Sequence, residues 1–166
     1  MVDARLVKGG EDMILFTHQA YALRFPLTEL SVTGIRTAGV RGISLKDEDY
    51  VVAMEVVQDD GASILLATQR GTVKRMGLKE LDSAARAQRG LVVLKELKSN
   101  PYRVVGAKMV ATDEIIVLAT DKGNKFTIVA GSLRPTDRYS NGSTTTDEKK
   151  DGNVTHIYKD PKAEIE

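Results

Sequence analysis

Three stretches of this 166-residue chain follow one plan. "MILFTHQAYALRF" (13–25), "SILLATQRGTVKRM" (63–76) and "EIIVLATDKGNKFTI" (114–128) each run apolar into a threonine, turn over a polar segment, and begin a second run. The threonines Thr17, Thr68 and Thr120 stand 51 and 52 residues apart. A leucine-bearing segment follows each: "PLTEL", "GLKEL", "AGSLRP". Then comes an arginine- and glycine-bearing stretch: "RTAGVRG", "RAQRG", "RYSNG". Gly42, Gly90 and Gly142 trail their threonines by 25, 22 and 22 residues. Each unit closes on a further β-like run, "YVVAMEVV", "YRVVGAKMV" or "NVTHIY".

A period of about 50 residues holding about four strands is the mark of propeller-type blades. Val, Ile, Thr, Tyr and Phe dominate the runs, and glycine turns separate them. A helical repeat of the same period is disfavoured by the β-branched runs. The best helical stretch, "GLKELDSAARAQRG" (77–90), offers a turn or two. "DEKKDGNV" (147–154) reads as a charged hairpin with Asp151-Gly152 at its tip. "SNGSTTTDE" (140–148) reads as a polar strand or loop. The chain is therefore all-β: a propeller-like array of about three four-stranded blades in one domain, 1–166, with repeats near 12–61, 62–113 and 114–160. Closed propellers have about 4–8 blades. Three make a partial ring, so the array is larger, or its terminal blades are capped or dimerised. "VDARLV" (2–7) reads as the closing strand of a preceding unit, which makes the chain a fragment of a longer protein.

Composition narrows the function. With 42% apolar and 28% charged residues the chain is an ordinary globular one. No apolar run approaches the ~18–20 residues of a membrane helix, and the start lacks a signal-peptide core. Without cysteine there are no disulfides or thiolate metal sites, and the two histidines lie far apart. The cytoplasm is the expected compartment. Net charge is only +1, but it is unevenly spread. Residues 12–61 carry 4 Lys+Arg against 8 Asp+Glu, a net of −4. Residues 62–113 carry 10 against 4, a net of +6, and residues 114–160 carry 7 and 7. A strongly basic unit beside an acidic one points to a polyanion partner.

The cations recur along the repeat. Lys74 and Arg75 follow one hairpin turn, with Lys125 and Arg24 as their counterparts; in the glycine-bearing stretches Arg86 and Arg89 are matched by Arg36 and Arg41, and by Arg138. Equivalent positions on radial blades share a rim, so the repeat draws a basic track. Duplex DNA carries one charge per ~1.7 Å, and such a track suits it. With no Trp and 5% aromatics, base stacking on single strands is disfavoured. The expected mode is backbone contact with DNA bending. The candidate phosphate contacts are Arg70, Lys74, Arg75, Lys79, Arg86 and Arg89, then Lys122, Lys125, Arg134 and Arg138, then Arg24, Arg36 and Arg41. The alternative is a protein-interaction scaffold whose basic blade docks an acidic partner, since fold does not fix function.

"ILLATQRGTVKRMGLKEL" (64–81) closely resembles the repeat motif of the C-terminal domain of bacterial type IIA topoisomerase A subunits. So does "RTAGVRGISLKDEDYVVAMEVV" (36–57), and "IIVLATDKGNKFTIVAGSL" (115–133) is a looser copy. The family comprises DNA gyrase and topoisomerase IV. The resemblance implies a β-pinwheel whose neighbouring blades exchange strands and whose basic perimeter bends or wraps duplex DNA. Gyrase A subunits carry a Gln-Arg-Arg-Gly-Gly-Lys-Gly type box. Here "RTAGVRG" (36–42) and "RAQRGLV" (86–92) are only degenerate versions, which favours the topoisomerase IV branch, with gyrase as the runner-up. The implied partners are duplex DNA, the remaining domains of the A subunit and an ATPase B subunit, at the nucleoid. The implied magnesium and ATP belong to those other domains, so no cofactor and no metal are expected here.

Catalysis is not expected either. The family cleaves DNA with a tyrosine after an arginine, and "DRYSNG" holds Arg138-Tyr139. In the family Thr-Glu-Ala follows that pair, within a winged-helix domain. Here Ser-Asn-Gly follows, at the glycine turn of a β-repeat, so Tyr139 is expected at a blade edge. A phosphate-binding glycine loop and a nucleophile elbow are both missing. The acidic run "KDEDY" (46–50) lacks calcium-loop spacing and reads as a solvated loop.

Overall fold

The computed structural model describes residues 3–161. Each quoted stretch forms an antiparallel hairpin. β1 (Asp12–Thr17) pairs with β2 (Tyr21–Pro26). An inner strand, β3 (Val51–Val57), adds to β1. The second unit repeats this with β4 (Ser63–Thr68), β5 (Thr72–Gly77) and, after a two-residue β6 (Leu91–Val92), β7 (Val104–Val110). The third has β8 (Ile115–Thr120), β9 (Lys125–Val129), β10 (Ser143–Thr144) and β11 (Val154–Lys159). The repeated threonine closes each hairpin turn. The Oγ1 atoms of Thr17, Thr68 and Thr120 accept from the backbone N–H of Tyr21, Thr72 and Asn124 at 3.1, 3.4 and 3.2 Å.

No unit completes its own sheet. β6, from the second unit, pairs with β2 of the first, and β10, from the third, pairs with β5 of the second. The sheets read β3-β1-β2-β6, β10-β5-β4-β7 and β11-β8-β9. Each arm, residues 82–92 or 134–144, leaves a short 3-10 turn (Leu78–Glu80 or Ala130–Ser132) and runs back along the preceding blade. It first runs parallel. Ala84 N–H donates to the Arg24 carbonyl and Thr136 N–H to the Arg75 carbonyl, both at 2.8 Å. It then turns and pairs antiparallel.

The blades are sandwiched, which explains their unbroken apolar runs. Ile64 and Leu66 pack with Ile14 and Phe16 of the first blade. Their alternate neighbours Leu65 and Ala67 pack with Ile116 and Leu118 of the third. All four residues of "ILLA" (64–67) are fully buried, because a middle blade has no solvent face. Leu15, Leu23, Phe25 and Ile43 form a smaller cluster on the far face of the first blade.

Two local expectations change. Residues 3–8 form no strand; Arg5 instead donates to the Glu55 carboxylate (3.3 Å) and the Met54 carbonyl (3.4 Å) of β3, while Val2 lies outside the described residues. The "DEKKDG" segment is one helical turn, α1 (Glu148–Asp151), rather than a hairpin tip. The Asp147 side chain caps its Lys149 and Lys150 N–H groups.

A glycine makes each arm fit. Gly90 and Gly142 hold φ of +88° and +81°. A Cβ at Gly142 would lie 2.5 Å from the Val73 carbonyl oxygen, and one at Gly90 would overlap that of Ala22. The matching glycine of the first unit is Gly39, at φ +84°, not Gly42. It restores a uniform spacing, since Gly39 follows Thr17 by the same 22 residues. The uniform register also makes Ile35, not Arg36, the counterpart of Arg86 and Arg138.

Lys74 fastens the second joint from below. It stands where the other hairpins have Leu23 and Phe126, and it is 2% exposed. Its ammonium donates to the carbonyls of Arg138 (2.7 Å), Ser140 (2.8 Å) and Asp137 (3.3 Å). Three N–H groups thus meet three carbonyls of the arm. Burial pushes the amine down to about 8, with Asp137 and Glu80 pulling it up and Arg138 adding to the depression.

The joints can be tested separately. Gly142→Ala adds backbone strain and a clash with an immovable carbonyl, and should lower unfolding free energy by about 3–5 kcal/mol. Gly123 shares a positive φ, at +80°, but has nothing within 4 Å, so Gly123→Ala should lose only about 1 kcal/mol. Equal losses in urea unfolding would contradict the close-approach account. For Lys74, the unfolded chain keeps the proton up to about 10.5 and the folded chain releases it near 8. Rising pH in that window therefore favours the folded wild type over Lys74→Met, by on the order of 3 kcal/mol in all. Parallel stability–pH profiles for the two proteins would rule out a buried, charged Lys74.

Candidate nucleic-acid interface

The thirteen candidate cations fall into three groups by what their side chains touch. Lys74 and Arg75 are buried in β5, at 2% and 9% exposure, and do not face solvent. Their placement on a solvent rim is corrected by the register of the hairpin. Arg75 aligns with Arg24 and Thr127, and Lys74 with Leu23 and Phe126; Lys125 aligns instead with Ala22 and Val73. Both are covered by the incoming arm.

A second group is half-buried and tied to the blade joints. Arg86 and Arg138 are true counterparts. The backbone N–H of each donates to a glutamate of the preceding 3-10 turn, Glu29 (2.8 Å) or Glu80 (3.1 Å). The Nη1 of each donates to a carbonyl of the preceding arm, Arg41 (2.8 Å) or Val92 (3.1 Å). Arg24 pairs with Asp12 at 2.7 Å and reaches the Leu81 carbonyl at 3.3 Å. Arg70 donates to the Asn100 carbonyl at 2.7 Å, lies 3.4 Å from Glu148, and sits over the Tyr102 ring at 4.3 Å. Arg89 stacks over Tyr21 at 3.9 Å. A guanidinium has five N–H donors. Arg86, Arg138 and Arg24 thus fasten the array while keeping donors over for another acceptor.

The third group is exposed: Lys79, Lys122, Lys125, Arg134, Arg36 and Arg41. Lys79 and Arg134 lie on the turns from which the arms depart, or just after them. Lys122 donates to the Lys149 carbonyl at 2.8 Å and stays exposed at the hairpin tip. Arg36 and Arg41 lie on the first arm, and Lys125 on the outer strand of the third sheet.

The structure adds exposed cations that the repeat did not flag: Lys46, Lys95, Lys98, Lys149 and Lys150. They occupy the segments between arm and inner strand, Lys149 and Lys150 in α1; counted from the threonine, Lys46 matches Lys149 and Lys98 matches Lys150. The loop around "KDEDY" is held internally, because the Asp49 carboxylate accepts from the Gln19 and Tyr50 N–H groups at 2.9 Å. Tyr139 is exposed at 58%, with Arg138 over its ring at 5.1 Å. Among the described residues no group of three or more acidic or histidine side chains is placed to hold a metal ion. No helix there is long and apolar enough to cross a membrane.

Comparison with known proteins agrees with this geometry. The family model for the DNA gyrase C-terminal domain, a β-propeller, matches residues 11–58 and 62–111. The A subunit of DNA topoisomerase 4 from Bacillus subtilis (strain 168) is 42% identical over 159 residues, which is 96% of this chain and 20% of that protein. The crystal structure of the C-terminal domain of DNA topoisomerase IV superposes with a TM-score of 0.93 at 44% identity, covering 95% of this chain and 49% of that one. The DNA gyrase A C-terminal domain superposes at 0.82 with 23% identity over 93% of this chain and 52% of its own, which is a likeness of fold. The chain thus spans about a fifth of the curated relative and half of the solved domain. With strand-exchanging blades in place and more than half of the residues matched, the chain belongs to the family of DNA gyrase C-terminal domains, β-propellers shared with topoisomerase IV A subunits.

Proposed function

We propose that this chain is a non-catalytic duplex-binding module of a topoisomerase IV type A subunit. It holds DNA by its phosphate backbone and bends it, and so influences which topological substrates the whole enzyme handles. The observation that carries this reading is the charge of the second unit, +6 over residues 62–113, with exposed Lys79 within it and exposed Arg134 beyond it at the departure points of two arms. The relatives named above place the reading with topoisomerase IV rather than gyrase. The remaining A-subunit domains and an ATPase B subunit are the proposed protein partners, in the cytoplasm at the nucleoid. Cofactors of the reaction belong to those domains on this reading.

The physics favours backbone contact over base readout. Exposed lysines and half-free arginines meet phosphates as point charges and forks. Two aromatic residues near the cations are already engaged: Tyr21 under Arg89 and Tyr102 under Arg70. They are not open platforms for bases. Sequence preference should therefore be slight, and affinity should depend steeply on salt.

Anisotropy titrations of a ~40-base-pair duplex across salt concentrations test this. Each phosphate contact contributes about −0.9 to the log–log slope. Lys79→Ala with Arg134→Ala should flatten that slope by about 2 and weaken binding to all duplex sequences alike. Lys74→Met should leave the slope unchanged, because the amine faces the arm. Absence of duplex binding at low salt would remove the DNA reading in favour of an acidic protein partner. An unchanged slope in the double variant would remove these two residues from the interface.

A further inference from the structure

The arm 82–92 joins the second unit to the first, and beside that joint lies a cleft of about 270 Å³. The first unit contributes Gln19, Tyr21 and Lys46 to its lining, and the second contributes Arg89, Glu96 and Arg103. Three cations and one carboxylate thus share one space. The carboxylate is already taken, since Glu96 meets both Nη atoms of Arg103 at 3.2 and 3.3 Å. Asp49, in the loop of Lys46, is spent on backbone N–H groups. Among the described residues neither Arg89 nor Lys46 has an ion-pair partner. The Arg89 guanidinium is nevertheless held in place. The Tyr21 ring lies under its face at 3.9 Å and fixes its plane. A guanidinium donates within its plane, so the stacked ring leaves the N–H edges free. Its Nε is buried and has no hydrogen-bond partner among the described residues. A buried donor in that state is costly until an acceptor arrives.

The second joint resolves the same positions differently. Counted from the threonines, Gln19, Tyr21 and Lys46 correspond to Arg70, Thr72 and Leu97, and Arg89 and Glu96 to Asn141 and Glu148. There the hairpin tip carries the charge. Arg70 lies 3.4 Å from Glu148 of the next unit, so acid and base meet across the joint. Asn141 is neutral, and its side-chain oxygen accepts from the Lys95 N–H at 2.8 Å. At the first joint the tip has the neutral Gln19, so Glu96 turns to Arg103 of its own unit. Arg89 stands in place of Asn141, and Lys46 in place of Leu97. The first cleft therefore keeps two cations without a counter-charge at positions that are neutral in the second.

We infer that this cleft is a phosphate-binding subsite, in which Arg89 and Lys46 hold one phosphate group between the first and second units. Arg89 offers its Nε–H and a neighbouring N–H to two phosphate oxygens, and Lys46 closes from the other unit as a point charge. A carboxylate fills the fork alone. A tetrahedral phosphate presents oxygens to the fork and to the ammonium at once. That the group belongs to a duplex backbone rests on the function proposed above; that the cleft takes phosphate does not. Because the two cations come from neighbouring units, a bound phosphate also ties the first joint. The ligand thereby stabilises the array that binds it.

Inorganic phosphate is the first probe, added at constant ionic strength to the isotope-labelled chain and followed by its amide resonances. The amides of Tyr21 and Arg89 should shift saturably. Arg89→Met and Lys46→Met should each raise the apparent Kd about tenfold or more. Lys8→Met, at an exposed cation outside the cleft, should leave it unchanged. Glu96→Gln removes the one carboxylate of the cleft and frees Arg103, so it should lower the Kd, a change that loss of packing would not produce. Duplex DNA should then displace the phosphate, and Arg89→Met and Lys46→Met should each flatten the salt slope of duplex binding by about 1. No saturable shift at the cleft, or an equal Kd in the wild type and both variants, overturns the subsite. Phosphate that binds but is not displaced by a bound duplex overturns the backbone assignment and gives the cleft to a free phosphorylated molecule. If phosphate binds and no duplex does, the proposed function fails and the subsite stands.

Discussion

Each arm closes the blade before it by bringing a left-handed glycine against that blade's strand carbonyl. Everything else in the array is arranged around this contact. Because the outer strand comes from the next unit, no hairpin holds a finished sheet, and each blade is stable only with its neighbour. The parallel bond to Arg24 or Arg75, the antiparallel pair beyond the glycine and the glutamate–amide bond all fix one register. A repeat array of this kind draws much of its stability from the interfaces between units. Here the interface carries both backbone hydrogen bonds and the apolar core.

The same joints decide which cations are available to a partner. A cation on the rim can serve the fold or a ligand, and the geometry sorts them. Lys74 is fully committed, with its three N–H groups on three arm carbonyls. Burying it disfavours its charge, yet an apolar residue there would leave those carbonyls without donors. Arg86 and Arg138 commit part of each guanidinium to the joints. Lys79, Arg134, Arg36 and Arg41 are left to solvent. The exposed cations are thus fewer than a count of cations suggests, and they lie beside the departure points and along the arms rather than in β5.

The architecture was legible because the chain writes the same plan three times. The threonines at 51- and 52-residue intervals mark the hairpin turns, and Gly90 and Gly142 mark the arms. The fate of single cations was harder to read, because it depends on register inside the hairpin. A signal was present: six residues after the threonine stand Leu23, Lys74 and Phe126, so Lys74 occupies an apolar column. Likewise 22 residues after Thr17 stands Gly39, while the arginine pattern drew attention to Gly42. At both positions the spacing from the threonine, not the charge pattern, marks the structural role. The helical turn at Glu148–Asp151 was obscured by its Asp-Gly end, which a hairpin and a capped turn share.

The arms are part of each blade rather than a loop laid over it. Native-state amide hydrogen exchange tests this directly. Thr136, in the 134–144 arm, and Thr145, just past it, donate to Arg75 and Gly71 of the preceding blade. If the joint holds the blade together, these two amides exchange as slowly as those at the centre of β4, opening only with the whole array. If they exchange orders of magnitude faster while β4 stays protected, the arms are peripheral and the account is wrong.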